Sequence, residues 1–260
     1  MEKILLPFNS TAYNARALDF AGLIAKMTGS GITGLFLENL GQAISPELIA
    51  ERKQLTEKSI GLFKEACESR SLHQCVKREA GNPVDEVIAE SRYADLIILD
   101  AATSFAGMVE HSPTHFVKQI LSGAECPVVI VPQRANEIDE IIFMFDGSSS
   151  CMFAARQFSY LFPELDDKKV TVVHIDNGHP LGKNDKAKMK NWVKEHYSSI
   201  GFSTIEGDPA GEMYVHLVNR KNVFVVAGAY GRNAVSQFFH RSAVELLIRT
   251  IPHALFIAHH

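Results

Sequence analysis

The chain has 260 residues, 46% of them hydrophobic, and a formal net charge of -4, which is enough for one large domain or two of ordinary size with buried cores. The charge is mild and no Lys/Arg run is interleaved with aromatics, which argues against a nucleic-acid groove. The longest apolar runs, such as PVVIV at 127-131 and FVVA at 224-227, fall far short of the roughly 20 residues that cross a bilayer. With a start, MEKILLPFNS, unlike a signal peptide, the expectation is a cytoplasmic protein with neither nucleic acid nor membrane as partner.

In the first half, short apolar strands are expected near 2-6, 31-37, 73-79, 95-100 and 127-131. Amphipathic helices fall between them. Ser10 or Thr11 is the expected cap of a helix whose apolar face includes Ala17, Phe20, Ala21, Ile24 and Met27, with Gly29 as its stop. In the second half, strands are expected near 140-145, 169-175, 202-206, 222-227 and 254-258. Ser148 or Ser149 opens the first helix there, and Pro209 sits in the first turn of another. Alternating strand and helix is the pattern of a parallel sheet covered on both faces.

The two halves also resemble each other. EAGNPVDEVIAESRYADLIILDA in the first corresponds to IEGDPAGEMYVHLVNRKNVFVVAG in the second, with Gly81 and Pro83 lying 126 residues before Gly207 and Pro209. PVVIV (127-131) then pairs with ALFIA (254-258) at an offset of 127. The starts, EKILLPFNSTAYNARAL and DEIIFMFDGSSSCMFAA, correspond at 137 because the first half has a longer second helix. Two copies of one domain, 1-133 and 138-260, joined near PQRANE (132-137), account for this most simply. The fold class read here is α/β: two doubly wound, five-stranded parallel-sheet domains in tandem.

Four cysteines, Cys67, Cys75, Cys126 and Cys151, form no CxxC pair and read as buried or partly buried thiols. His111 and His115 are four apart, but Pro113 between them argues against a helical ligand pair. No protein metal site is expected.

In an open parallel sheet a ligand sits beyond the carboxyl ends of the strands, where strand order reverses. The loops after the first and fourth strands therefore matter. In the second half these are Phe145-Asp146-Gly147-Ser148 and Gly228-Ala229-Tyr230-Gly231. Glycines there allow close backbone approach, and the helix following offers free N–H groups around Arg241-Ser242-Ala243.

With these residues in view, the chain resembles a tandem universal stress protein over nearly its whole length. Nucleotide-binding members of that family carry G-x2-G-x9-G-[S/T] after the fourth strand and an Asp after the first. The second half has Gly228, Gly231, Arg241 in place of the third glycine, Ser242, and Asp146 at the acidic position. The resemblance implies an adenine-nucleotide α-hydrolase-like fold, with pseudo-two-fold-related domains paired through 127-131 and 254-258. It implies that Asp146 and the strand around Val172 and Val173 face adenine and ribose, while Gly228, Gly231, Ser242 and Ala243 face the phosphates; Phe145, Tyr230 and Arg241 are further candidate nucleotide-binding residues. In the first half the matching positions are Ala101, Ser104, Thr114 and His115, with Asn9 for the acid, so that half is expected to be structural.

Arg241 admits two readings. It either clamps a phosphate bidentately or fills the space a phosphate would take. Val244 removes a hydroxyl donor that nucleotide-binding relatives often have. No G-x-S-x-G elbow and no Walker lysine is present, so any ATP hydrolysis is expected to be slow and incidental. The expected function is regulation in the stress response, with ATP or a related adenine nucleotide, and its bound Mg at most, in the C-terminal domain. The alternative is a nucleotide-independent scaffold. A homodimer of the whole chain, and the origin of His259-His260, are left open by the sequence.

Overall fold

The computed structural model of the protein describes residues 1-11, 13-39, 46-134, 137-178, 180-228 and 241-258. The chain divides into two compact units, Met1–Val131 and Pro132–His260.

Unit 1 runs β1 (Lys3–Asn9), α1 (Ala15–Thr28), β2 (Gly31–Asn39), α2 (Pro46–Ser69), β3 (Gln74–Gly81), α3 (Pro83–Ser91), β4 (Leu96–Leu99), α4 (His115–Gly123), β5 (Val128–Ile130). Its strands lie in the order β3-β2-β1-β4-β5, all parallel. Unit 2 runs β6 (Glu140–Met144), α5 (Ser149–Leu161), β7 (Lys169–Asp176), α6 (Lys183–His196), β8 (Ser199–Glu206), α7 (Pro209–Val218), β9 (Val223–Gly228), α8 (Arg241–Thr250), β10 (Ala254–Ala258). Its order is β8-β7-β6-β9-β10, again all parallel. Each unit is thus the doubly wound five-stranded sheet expected from the sequence.

The strand patterns follow from where each strand lies. β4, β6, β9 and β10 are buried at every residue, and apart from Glu140 at the start of β6 they read as apolar runs because helices cover both faces. The edge strands β3 and β8 alternate between half-buried and exposed residues, since part of each still faces water. In unit 2 the core closes around Phe158 of α5, which is fully buried. Its ring lies 4.8 Å from Phe162, 5.0 Å from Phe224 and 5.3 Å from Phe256. Unit 1 gathers Phe8, Phe36 and Phe63 in the same way, with centroids 5.1-5.8 Å apart.

The internal repeat has a structural counterpart at Gly81-Asn82-Pro83 and Gly207-Asp208-Pro209. Asn82 caps α3 by accepting the Val84 N–H, and Asp208 caps α7 by accepting the Gly211 N–H. In both, proline occupies the first helical turn, where its missing N–H costs nothing. Gly29 ends α1 in the left-handed conformation, φ 69°, as expected.

One local expectation is corrected. Neither Ser10 nor Thr11 caps α1; Asn14 does, its side chain accepting from Arg16 and Ala17 N–H. The reason is that Asn9 Oδ1 accepts both the N–H and the hydroxyl of Thr11, at 3.1 and 2.9 Å, holding a turn there. Ser10 is meanwhile buried and donates its N–H to Leu37 O. The helix starts after that turn.

At the amino-terminal edge of unit 2's sheet, Glu140 is buried with Arg220 at 2.6 Å, Thr171 at 2.9 Å and Lys169 at 3.0 Å. Burial pushes its carboxyl up, but the hydrogen bonds from Arg220, Lys169 and Thr171 outweigh this and hold it below its ordinary value of 4.5. Beside it, burial first and the Arg220 charge next depress His216 below 6.5. His253, whose ring nitrogen lies 3.0 Å from Leu217 O, is also depressed, chiefly by burial. A depressed histidine favours folding above its unfolded pKa and loses that contribution as pH falls below it. A depressed carboxyl loses its contribution as pH falls through the folded value. Both act in one direction, so unit 2 is expected to lose stability from about pH 6.5 downward, and again below about pH 4.5. Urea unfolding at pH 7.5 and 5.5, followed by Trp192 fluorescence, checks this. The double variant His216→Gln, His253→Gln should flatten the upper part of the dependence, and an unchanged slope would refute the assignment.

Candidate functional site

In each unit the strand order reverses between the first and fourth strands, which places a crevice at the carboxyl ends of β1 and β4, and of β6 and β9.

In unit 2, the backbone N–H of Phe145 donates to Val173 O at 2.9 Å, carrying the ladder one residue past β6. The chain then turns sharply. Asp146 Oδ1 accepts the Ser148 N–H at 2.8 Å, Gly147 takes φ 82°, and Ser148 caps α5 through the Cys151 N–H. The turn is therefore a self-stabilised Asx turn leading into a helix cap. One oxygen of the acidic residue is already engaged in holding it.

The other wall explains Gly228. A Cβ on this residue would lie 2.2 Å from the backbone C and O of Ser150 and 2.4 Å from Cys151 N. The end of β9 thus presses backbone to backbone against the first turn of α5, a contact that only glycine allows. Asp146 belongs to the same neighbourhood. Burial first, and then the charge of Asp146, push the Cys151 thiol far up, so it stays protonated and is no nucleophile.

Val172 and Val173 are both buried within β7. Successive strand residues point to opposite faces, so the two side chains do not share a ligand-facing surface. Phe145 and Val172 line a cavity with His174, Leu181, Met189 and Phe202. Its volume of about 20 Å³ holds a water molecule, not a ring system, since ligand pockets start near ~300 Å³. Leu181 narrows it from above: a Cβ on Gly147 would meet its Cδ1 at 2.9 Å. His174 Nδ1 lies 3.0 Å from Phe145 O, and because a carbonyl only accepts, that nitrogen carries the proton.

Tyr230 and Gly231 lie outside the described residues, as do the side chains of Arg241, Ser242 and Ala243. These last three form the first turn of α8. Val244 is fully buried, so its position belongs to the core rather than to a ligand.

In unit 1 the crevice is open, with a volume of about 330 Å³, and is lined by Phe8, Asn9, Tyr13, Asn14, Thr103 and Ser104 among others. A polar network fixes its rim. Asn9 Nδ2 donates to Ser104 O at 2.9 Å. Asn14 Nδ2 donates to the buried Asp100 carboxylate at 2.9 Å, which also accepts the Ala102 N–H at 2.8 Å and pairs with Arg16 at 2.8 Å. Beyond it, Glu110 accepts from the Ser104 hydroxyl with one oxygen and from the His115 N–H with the other, at 3.2 Å. The Ser104 hydrogen bond, and then the His115 one, hold the Glu110 carboxyl below the ordinary carboxylate value. Thr114 caps α4 through the Val117 N–H.

Sequence reasoning passed over Asn14, Asp100 and Glu110. The first two carried a signal: Asn14 precedes the helix in a capping position, and Asp100 ends the buried run LIIL. Glu110 sits in a loop with no periodicity and gave none. Among the described residues no group of three His, Cys, Asp or Glu could hold a metal ion, and no helix is long and apolar enough to cross a membrane.

Two tandem doubly wound units, each with a crevice at its switch point, define a two-domain α/β architecture of parallel five-stranded sheets. Specifically, the chain has the fold of tandem universal stress proteins. It is similar to a universal stress protein from Archaeoglobus fulgidus DSM 4304 at 19% identity, covering 99% of this chain and 98% of that one, with a TM-score of 0.77. A candidate universal stress protein from Pseudomonas aeruginosa UCBPP-PA14 is similar at 16% identity, 100% and 93% coverage and a TM-score of 0.60. No protein-family model matches the chain, and no curated protein matches it in sequence.

Proposed function

We propose that this protein is a stress-response regulatory module that binds an adenine nucleotide in unit 2 and performs no chemistry on it beyond slow incidental hydrolysis. The observation that supports this most is the switch point itself, where the Asp146 turn follows β6 beside the end of β9. It brings an acidic turn and a glycine-ended strand together at the switch point, with the first turn of α8 following. In this reading adenine and ribose lie at the outer rim of the crevice, because the space beneath Phe145 and Val172 is filled. The amides of the α8 first turn meet the phosphates.

Calorimetric and thermal-shift titration with ATP, ADP, AMP and cyclic nucleotides tests the reading. Ligand that binds only the folded state raises the melting temperature; no shift at millimolar ligand rejects it. Arg241→Ala separates the two roles of that residue, since a clamp loses affinity on truncation and a plug gains it.

One observation favours the alternative, a nucleotide-independent interaction protein. Tyr214, Val215 and Val218 of α7 stand exposed, as does Leu246 of the adjoining α8, and exposed apolar patches commonly mark partner surfaces.

A further inference from the structure

Along α2 a row of leucines, Leu48, Leu55 and Leu62, recurs every seven residues. Seven residues make two turns of a helix, so the three stand one above another on one face. That face is in water: the leucines are 48%, 38% and 40% exposed. The core side of α2 is a different one, where Thr56, Ser59, Ile60 and Phe63 are buried and the Phe63 ring meets Phe8 and Phe36. From Glu47 to Leu55 every residue of the helix is exposed, so this end stands clear of its own unit's core. An apolar row at heptad spacing that its own unit leaves uncovered has the pattern of a helix-pair seam.

The charges beside the row select the partner. Glu51 and Lys58, also seven apart, flank the leucines on the side away from the core. Neither has an opposite charge three or four residues away along the helix, and among the described residues no ion pair within the chain engages either one. A second α2 laid antiparallel with Leu55 on the two-fold axis places Leu48 opposite Leu62 of the second copy. The same register brings Glu51 within one residue of Lys58 of the second copy, twice by symmetry. A parallel pair would instead set this charged row against the core side of the other helix, which is already buried. We propose that α2 is a self-association surface, through which two copies of this chain pair as antiparallel helices, the three leucines forming the seam and Glu51 with Lys58 fixing the register. A seam of ~21 Å is short for a permanent interface, so the dimer is weak and concentration-dependent. It lies on unit 1 and does not rest on nucleotide binding in unit 2.

Sedimentation equilibrium of the full-length protein, from about 1 μM to about 1 mM, tests this. The weight-average mass is expected to rise from that of one chain toward that of two. Leu55→Glu puts two like charges on the axis and should weaken association at least about tenfold, while urea unfolding followed through Trp192 stays unchanged because the position is outside the core. Glu51→Lys and Lys58→Glu, each alone, should weaken it about tenfold at low salt and less at high salt. The two single variants mixed together, or both changes in one chain, restore opposite charges across the seam and should recover the dimer. A chain that stays monomeric throughout, a dimer that Leu55→Glu leaves intact, or charge variants that fail to rescue each other would each overturn the proposal.

Discussion

Gly228→Ala is expected to destabilise unit 2 by about 3 kcal/mol, in the absence of any ligand. The new methyl carbon would sit 2.2 Å from the backbone of Ser150, and neither partner is a flexible side chain that can swing away. Relief requires β9 or the first turn of α5 to move, and β9 is hydrogen-bonded on both sides, to β6 and to β10. Urea unfolding followed through Trp192 measures the loss. An alanine variant with unaltered stability would show that the close approach is not real. The result also bears on function. A glycine at the end of the fourth strand is commonly read as room for a phosphate, but here its space is taken by protein backbone. Lost ligand binding in this variant would therefore not by itself show that Gly228 touches a ligand; binding has to be compared at conditions where both proteins are folded.

Phe158→Ala is expected to cost about 3–5 kcal/mol. The ring is fully buried and meets Phe143, Phe162, Phe224 and Phe256, three of them edge-on. These neighbours come from two strands flanking β9, from β9 itself and from the turn after α5, so a cavity cannot be closed by shifting one element. The same urea titration measures it, with Phe158→Leu as the milder control. A loss below about 1 kcal/mol would mean that the cluster is looser than its geometry indicates. Because Phe158 lies in the core and not at the crevice, nucleotide affinity per folded molecule should be unaffected.

The elements themselves were largely legible. β4 reads LIIL and β9 reads VFVVAG because strands covered on both faces have no polar side to display. Prolines at 83 and 209 marked helix starts because their backbone suits no other place as well. The cap of α1 was misplaced by a few residues because Ser10, Thr11 and Asn14 are all capable caps. Only the hydrogen bonds of Asn9 to Thr11 decide among them.

For the site, the sequence determined which loops meet at the crevice, since topology follows from strand order and the repeat. It also marked Asp146 and Gly228, whose residue types stand out at strand ends. Only the tertiary structure decided what those residues touch. Asp146 holds its own turn, Gly228 faces the backbone of α5, and Leu181 packs over the turn between them. The half expected to be structural carries the open 330 Å³ cleft, because Asn9, Asn14, Asp100 and Ser104 are drawn together from the ends of two strands that lie far apart in the chain. Local patterns specify helices, strands and their order; whether a crevice is filled or open depends on side chains from distant segments competing for the same volume, which no local pattern records.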